Sequence, residues 1–279
     1  MTVTCALLQL CSGRDMARNI AETSDMIRVA AARGAQFVLT PEMTNIIEPD
    51  RPRLRALVKS EDDDPAVHAF AALAHELKLW LLIGSLALRG RDGSLVNRSL
   101  LFGPNGDRVV AYDKIHLFDV DLPTGERIRE SEAYAGGSAA PVVPTPWGGL
   151  GLTICYDLRF PGLYRRLAQE GADFLTVPSA FTVPTGEAHW HVLLRARAIE
   201  TGSYVLAPAQ TGQHDSGRRT YGHSLVVSPW GVIEADAGIE TGISLATLDP
   251  EAVRTARARI PAWRGPDVAP LKAEKLVAS

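Results

Sequence analysis

The stretch VTCALLQLCSGRDMARNIAETSDMIRVAAARGAQFVLT, residues 3–40, decides the fold class. Its first part, Val3–Gln9, is short, apolar and partly β-branched, which is typical of a buried strand. Residues 15–33 then place apolar side chains at helical spacing, and Gly34 follows where a left-handed residue costs little. Residues 36–40 read as the next strand. The order strand–helix–strand predicts an α/β fold.

The same alternation continues along the chain. We predict further helices at residues 65–78, 163–170 and 187–200, and further strands at residues 79–86, 95–102, 108–112, 150–154, 174–177, 204–207, 224–228 and 232–235. Asn105-Gly106 and Pro229-Trp230-Gly231 predict hairpin turns. This pattern alone predicts one mixed sheet, covered on both faces, in one domain over residues 1–279. A proline-rich stretch from about residue 260 predicts an irregular tail.

Composition limits the possible partners. The 279 residues carry a formal net charge of −3, with basic and acidic residues interspersed. No basic stripe indicates a nucleic-acid or anionic-membrane partner. No apolar stretch approaches the roughly 20 residues that span a bilayer. We therefore expect neither a nucleic-acid nor a membrane partner.

The cysteines predict a reducing compartment. Cys5, Cys11 and Cys155 are an odd and sparse set, which does not make a disulfide framework. They form no C-x-x-C pair, so the sequence does not predict a structural zinc site of that kind. We expect a cytoplasmic protein.

Cys155 is the first candidate for chemistry. It ends the predicted strand 150–154 and is followed by Tyr156-Asp157-Leu158-Arg159-Phe160-Pro161, which turns toward a helix. Side chains at the carboxyl end of a strand lie where α/β sheets expose their ligands, and a nucleophile on such a turn is held rigidly. The alternative is a small buried apolar side chain, since free cysteine is often buried.

Glu42 and Lys114 also follow predicted strands. A carboxylate at position 42 can accept a proton from a thiol and later return it. An ammonium at position 114 can lower the pKa of a thiol and stabilise an oxyanion. Each residue alone is most often a solvated surface side chain. Their shared placement at strand ends predicts that one sheet edge brings them together with Cys155.

These motifs resemble the nitrilase, or carbon–nitrogen hydrolase, superfamily. The resemblance rests on Pro41-Glu42, on Lys114-Ile115-His116-Leu117-Phe118-Asp119 and on the Cys155 motif quoted above, in the order Glu, Lys, Cys. It covers the chain from Val3 to about Trp263. It implies that Glu42, Lys114 and Cys155 are catalytic. It also implies a four-layer α-β-β-α sandwich that pairs into a homodimer or higher homo-oligomer.

The resemblance further implies a second catalytic glutamate between Lys114 and Cys155. Glu130 aligns best, while Glu132 and Glu126 lie near enough to remain alternatives. The implied chemistry is the hydrolysis of a small amide through an acyl-thioester, with an oxyanion held by Lys114 and the backbone N–H of Tyr156. Each step is acid–base or nucleophilic, so the resemblance implies no metal and no cofactor.

Further segments are similar to the branch that contains deaminated glutathione amidase and ω-amidase. They include Pro178-Ser179-Ala180-Phe181, Ala188-His189-Trp190 and Tyr221-Gly222-His223-Ser224. The residues expected to contact substrate are Tyr156, Arg159, Phe181 and His189. Arg195 and Arg197 are further carboxylate partners, although each of these arginines can equally form a structural ion pair. His189 and His191 alternate along a helix, so they do not face one another as a metal pair.

Several functions remain open. The implied substrate is deaminated glutathione, and the alternatives are 2-oxoglutaramate and N-carbamoyl amino acids or aliphatic amides. A papain-like pair of Cys155 with His189 or His223 would need motifs that the sequence lacks. A non-catalytic binding module of the same fold is the alternative from another class.

Overall fold

The apolar runs pair into two large sheets in the computed structural model, which describes residues 1–121, 125 and 127–265. Within these residues the strands are β1 (Val3–Gln9), β2 (Phe37–Leu39), β3 (Trp80–Arg89), β4 (Leu95–Phe102), β5 (Arg108–Asp113), β6 (Asp119–Asp121), β7 (Arg127–Arg129), β8 (Tyr134–Ala135), β9 (Val142–Thr145), β10 (Gly148–Leu152), β11 (Ala172–Thr176), β12 (Tyr204–Ala207), β13 (Thr211–Gln213), β14 (Arg219–Tyr221), β15 (Leu225–Val227), β16 (Ile233–Asp236) and β17 (Gly242–Leu248). The helices are α1 (Met16–Ala32), α2 (Arg51–Leu57), α3 (Pro65–Leu77), α4 (Pro161–Gln169), α5 (Val183–Thr201) and α6 (Pro250–Arg259).

The two sheets have related topologies. The first has the order β17-β1-β2-β3-β4-β5, with β8 beside β4, and the second has the order β16-β15-β12-β11-β10-β9. In the first sheet β1, β2 and β3 run parallel, and in the second β10, β11 and β12 do so. Antiparallel strands flank both parallel centres. The carboxyl ends of each parallel centre therefore lie along one edge of its sheet.

The alternation of side chains along β1 shows how the layers pack. Cys5 and Leu7 face an apolar cluster shared by both sheets, α4 and α5, whereas Ala6 and Leu8 face a cluster shared with α1 and α3. Successive side chains of a strand point to opposite faces, so β1 is covered on both sides. The layers run α1/α3, first sheet, second sheet, α4/α5. The four-layer sandwich implied by the resemblance is confirmed.

The single mixed sheet predicted from the pattern alone is wrong. Strands buried on both faces read as continuous apolar runs, and such runs do not show to which sheet a strand belongs. Both predicted hairpins are present, between β4 and β5 and between β15 and β16.

Local signals fix most helix ends. The Asp15 side chain accepts a hydrogen bond from the Arg18 N–H at the start of α1, and Gly34 after its end has a φ of 89°. Asp64 caps α3 in the same way. Helix α5 begins four residues earlier than predicted, at Val183, with a proline in its first turn.

Several elements were not predicted, among them α2, α6 and β17. The predicted tail begins instead with a 3₁₀ helix at Pro261–Arg264, and residues 266–279 lie outside the described part of the chain. Within that part, no helix combines the length and apolar character needed to cross a membrane.

Candidate active site

Loops that follow three strands place Glu42, Lys114 and Cys155. Glu42 comes shortly after β2, and Lys114 comes directly after β5, both in the first sheet. Cys155 follows β10 of the second sheet and begins a 3₁₀ helix, Cys155–Arg159. The site is therefore assembled across the contact between the two sheets.

Cys155 has an unusual backbone. Its φ is 49°, in the left-handed region that non-glycine residues seldom occupy. Its N–H donates to the Pro178 carbonyl over 3.0 Å, which ties the turn to the loop after β11. Strain of this kind persists where surrounding contacts fix the backbone, and it clusters at functional sites.

Lys114 lies between two carboxylates in the interior. Its Nζ is 2.9 Å from Glu42 Oε1 and 2.8 Å from Glu130 Oε2. The side chains of Lys114, Glu42 and Glu130 are only 2%, 6% and 11% exposed. Buried charges are tolerated when they are paired and hydrogen-bonded, as these are.

Glu130 is the glutamate that joins this cluster. Besides Lys114, its Oε2 accepts the Phe118 N–H over 2.6 Å. Glu132, two residues on, instead forms an ion pair with Arg51 at the surface. Glu126 lies outside the described residues. Of the two described candidates, the structure brings only Glu130 to Lys114.

Asn97 on β4 was not identified from the sequence. Its Nδ2 donates to Glu42 Oε1 over 2.9 Å and to Glu130 Oε1 over 3.1 Å. The Ala180 N–H donates to the other oxygen of Glu42 over 2.9 Å. The only sequence signal was one amide within an apolar strand, a position where a buried polar side chain requires partners.

The Cys155 thiol is buried, and the Glu42 carboxylate is near enough to act on its pKa. Burial raises the pKa of this thiol well above its ordinary value, and the charge of Glu42 adds to the rise. Lys114 acts in the opposite direction, as predicted, but is outweighed. The resting thiol is therefore protonated and needs a base.

Glu42 and Lys114 both favour their charged forms. Burial acts to raise the pKa of Glu42, but the charge of Lys114 and hydrogen bonds with Lys114 and Cys155 lower it overall. Burial acts to lower the pKa of Lys114, but the charges of Glu130 and Glu42 hold it well above its ordinary value. A carboxylate that can accept a proton thus lies beside the thiol.

Asp157 fixes the turn that carries Cys155. Its buried carboxylate accepts the Ile154 N–H over 2.8 Å and the Tyr112 hydroxyl over 2.6 Å. It also accepts the His116 N–H over 3.1 Å. Because Tyr112 and His116 flank Lys114, Asp157 connects the lysine loop to the nucleophile turn.

Gly84 on β3 lets the Glu42 loop approach the sheet. A Cβ at this position would overlap the carbonyl oxygens of Thr40 and Pro41 and the side chain of Pro178. The Pro178 carbonyl also receives the Cys155 N–H. Absence of a side chain at Gly84 therefore allows the loops from both sheets to meet.

A cavity of about 820 Å³ opens onto these residues. Glu42, Lys114, Glu130 and Cys155 lie in its wall. Other lining residues are Tyr134, Tyr156, Phe181 and Thr185, together with the arginines Arg51, Arg127, Arg129, Arg218 and Arg219. A site of this size accommodates a substrate larger than a simple amide.

Arg159 and His189 do not line this cavity. The Arg159 guanidinium lies over the rings of Tyr156 and Phe181, at 5.9 and 5.6 Å from their centroids. Its Nη2 is 3.3 Å from Nδ1 of His189. Arg159 thus lies behind two of the aromatic side chains expected to contact substrate.

Arg218 is a cavity residue that sequence reasoning missed. Its Nη2 donates to the Ala180 carbonyl over 2.6 Å, and its charge contributes to lowering the pKa of Glu42. No carboxylate of the described chain lies within ion-pair distance of Arg218. Its guanidinium is available to an anionic ligand.

Comparisons with known proteins agree with this arrangement. Residues 4–258 match the carbon–nitrogen hydrolase family model. The chain is 40% identical over 261 residues to deaminated glutathione amidase of Synechocystis, covering 92% of this chain and 95% of that protein. It is 39% identical over 270 residues to deaminated glutathione amidase of Homo sapiens, covering 94% of this chain and 82% of the human protein.

A solved structure extends the likeness to the fold. Saccharomyces cerevisiae Nit3, a member of branch 10 of the nitrilase superfamily, superimposes with a TM-score of 0.84 at 31% identity, covering 93% of this chain and 94% of that one. The chain belongs to the carbon–nitrogen hydrolase family. It is a hydrolase that acts on carbon–nitrogen bonds other than peptide bonds.

Proposed function

We propose that this hydrolase cleaves deaminated glutathione to 2-oxoglutarate and cysteinylglycine, using Cys155 as nucleophile, Glu42 as acid–base and Lys114 and Glu130 as electrostatic partners. The observation that carries the proposal is the buried Glu42–Lys114–Glu130 cluster beside the Cys155 thiol. The two relatives named above carry deaminated glutathione amidase as their name, which supports the substrate.

Acylation begins with the thiol proton. Glu42 accepts it, and the sulfur forms a bond to the amide carbon. Negative charge then develops on the carbonyl oxygen, where Lys114 Nζ stabilises it. The N–H of Tyr156 is a second donor, because N–H groups in the first turn of a helix lack partners within that helix. The carbon–nitrogen bond breaks as Glu42 returns the proton to the leaving amine.

Deacylation repeats these roles with water. Glu42 accepts a proton from a water molecule, whose oxygen bonds to the thioester carbon. The carbon–sulfur bond breaks, and Glu42 returns the proton to Cys155 as the acid leaves. Throughout the cycle Glu130 compensates the charge of Lys114 and helps to fix its position.

Arg218 is the proposed partner of the substrate's acyl carboxylate. A bidentate contact from a guanidinium suits a carboxylate, and Arg218 is anchored on the same Ala180 whose N–H holds Glu42. Among the other cavity arginines, Arg51, Arg127 and Arg129 already pair with Glu132 or Asp121. Arg219 is the one proposed to meet the carboxylate of a dipeptide leaving group. Phe181 and Tyr156 would contact the apolar parts of the substrate.

A comparison of two substrates tests this proposal. Purified protein is assayed with deaminated glutathione and with 2-oxoglutaramate in one buffer. We expect kcat/KM to be at least about tenfold higher for deaminated glutathione, or roughly 1.4 kcal/mol of differential transition-state binding. A preference for 2-oxoglutaramate would instead assign ω-amidase activity. N-carbamoyl amino acids and aliphatic amides complete the panel.

A second copy of the chain is the proposed partner of an exposed apolar patch. Val192 and Ile199 lie two turns apart on α5, and Trp230 and Val232 lie on either side of Gly231 at the β15–β16 turn. Each of these four side chains is more than half exposed. Gly231 packs against Ile199 and so joins the two segments. Contiguous apolar surfaces of this kind are typical of interfaces. Light scattering of the wild type and of Trp230→Glu tests whether this face forms a dimer.

The proposed compartment is the reducing cytoplasm. Cys5, Cys11 and Cys155 are all free thiols, and the proposed mechanism requires a reduced Cys155. Fractionation of expressing cells checks this localisation.

A further inference from the structure

A second polar cluster lies outside the cavity and includes one residue of α5. It consists of His191 on α5, His223 just before β15 and Asp236 at the end of β16. One nitrogen from each imidazole and one carboxylate oxygen lie within 4.8 Å of one another. None of the three residues lines the cavity described above.

The two separations between Asp236 and the histidines are close to those between ligands of a metal ion. Asp236 Oδ2 is 3.2 Å from Nε2 of His191 and 3.2 Å from Nδ1 of His223. Two ligands of a tetrahedral ion held at about 2.0–2.1 Å are separated by roughly 3.3–3.4 Å. The imidazole rings are 5.0 Å apart and inclined at 70°, and their two nitrogens lie within 4.8 Å of each other.

The backbone already fixes two of these side chains. The His223 N–H donates to the Gly238 carbonyl over 2.7 Å, and the His223 carbonyl accepts from Trp190 Nε1 over 2.8 Å. The Gly238 N–H donates to Asp236 Oδ1 over 2.9 Å. Oδ1 also lies 2.9 Å from Nδ1 of His223, whereas Oδ2 contacts both histidines. Little ordering of the ligands would be needed on binding.

Charge and access also favour a cation. Glu187 precedes His191 by one helical turn, so both lie on the same face of α5. Burial raises the pKa of Tyr221, and the negative charges of Asp236 and Glu187 add to the rise. The Tyr221 ring stacks on His223 with centroids 4.6 Å apart. The three side chains of the cluster are partly exposed, which gives an ion a path from solvent.

We propose that His191, His223 and Asp236 bind a divalent transition-metal ion, for which the two imidazoles and one carboxylate suit zinc. The fourth position is left for water or Glu187. The ion would tie α5 to the segments on either side of β15. The Tyr221 ring also packs on Gly186 of α5, which adjoins the cavity residue Thr185. A bound ion would therefore stabilise this part of the cavity wall.

Metal binding is measured with zinc chloride as the probe. The protein is first treated with a chelator. All measurements use the Cys155→Ala variant as the parent protein, so that the thiol at position 155 cannot bind zinc. We expect calorimetry to show one ion per chain. In the same parent protein His191→Gln and Asp236→Asn should each weaken binding at least about tenfold. Cobalt(II) should give visible absorption bands that these two variants lose.

Cys11→Ser is the matched control. Cys11 Sγ lies 3.7 Å from Nδ1 of His214 and is the rival thiol–imidazole pair. This variant should bind zinc as the parent protein does. The proposal is overturned if zinc binds without defined stoichiometry, if binding survives both His191→Gln and Asp236→Asn, or if Cys11→Ser abolishes it. In any of these cases the cluster is a hydrogen-bonded carboxylate between two histidines. Circular dichroism checks that each variant is folded.

Discussion

The side-chain amide of Asn97 donates a hydrogen bond to the carboxylate of Glu42 over 2.9 Å. The same nitrogen contacts Glu130, so one neutral side chain links the two carboxylates that flank Lys114. Such donors favour the ionised form of a carboxylate without adding charge. Asn97 is therefore a positioning residue that also affects the basicity of the proposed general base.

Replacing Asn97 with leucine tests this role. Loss of the donor should raise the pKa of Glu42, because a hydrogen bond to its charged form is removed. We expect kcat/KM at neutral pH to fall about 10- to 100-fold and the acid limb of its pH profile to move to higher pH. Ser99→Ala, which removes a buried hydroxyl two residues along β4, is the control. If the acid limb of the kcat/KM profile of Asn97→Leu lies at the same pH as that of the wild type, Asn97 has only a packing role.

Removing the base or the nucleophile should abolish turnover. We expect Glu42→Gln to lower kcat by about 10²- to 10⁴-fold, since an amide is neither acid nor base. Cys155→Ala should show no acyl-enzyme by mass spectrometry after incubation with substrate. Glu132→Gln should retain activity because Glu132 pairs with Arg51 at the surface. Substantial turnover by either of the first two variants would count against the mechanism.

Arg218 and Arg159 compete for the role of substrate anchor. Arg218→Gln should reduce kcat/KM for deaminated glutathione at least about tenfold, because a carboxylate would lose its cationic partner. The same variant should act on a neutral aliphatic amide almost as well as the wild type does. Arg159→Gln should change neither value greatly, since Arg159 does not line the cavity. If Arg159→Gln and not Arg218→Gln lowered kcat/KM for deaminated glutathione, Arg159 would be the residue that binds the substrate carboxylate.

A methyl group at Gly84 should separate the loop that carries Glu42 from the loop that carries Pro178. The new Cβ would clash with the carbonyl oxygens of residues 40 and 41 and with the Pro178 side chain, so these groups must move away from Gly84. We expect Gly84→Ala to lower the unfolding free energy by about 1–3 kcal/mol. Activity should fall as well. Gly162→Ala is the control, because a Cβ at this exposed position in α4 meets nothing within 4 Å. Equal stability of the two variants in urea would contradict this interpretation.

Acid stability should depend on Glu42. Its pKa is lowered in the folded chain, so its ionisation stabilises the fold above the ordinary value of 4.5. This contribution is lost as pH falls from about that value through the lower folded-state pKa. The difference in unfolding free energy between the wild type and Glu42→Gln should therefore shrink with acidification. Urea titrations at several pH values measure it, and a pH-independent difference would contradict the assignment.

Local signals allowed much of this structure to be predicted. The spacing of apolar residues and the capping residues gave α1 and α3, and the ends of apolar runs placed Glu42, Lys114 and Cys155 at strand termini. The resemblance to a known family then supplied the four layers. Both kinds of signal are contained in short segments of the chain.

Long-range contacts could not be predicted in the same way. Asn97 and Arg218 reach the site from β4 and from the loop before β14, and no short motif marks either residue. Glu130 and Glu132 lie in one 3₁₀ turn, where spacing alone does not show which side chain points inward. Strand β17 returns to pair with β1, a contact between distant parts of the chain.

That last pairing has a consequence for biosynthesis. β1 emerges from the ribosome early, yet its antiparallel neighbour β17 is made only after nearly the whole sandwich has been translated. At about 5–20 residues per second, β1 would wait roughly tens of seconds for this partner. Glu42 and Lys114 of the first sheet and the Cys155 thiol of the second would likewise remain apart until the sheets dock. A nascent chain would thus hold an inert thiol, and amide cleavage would begin only once folding is complete.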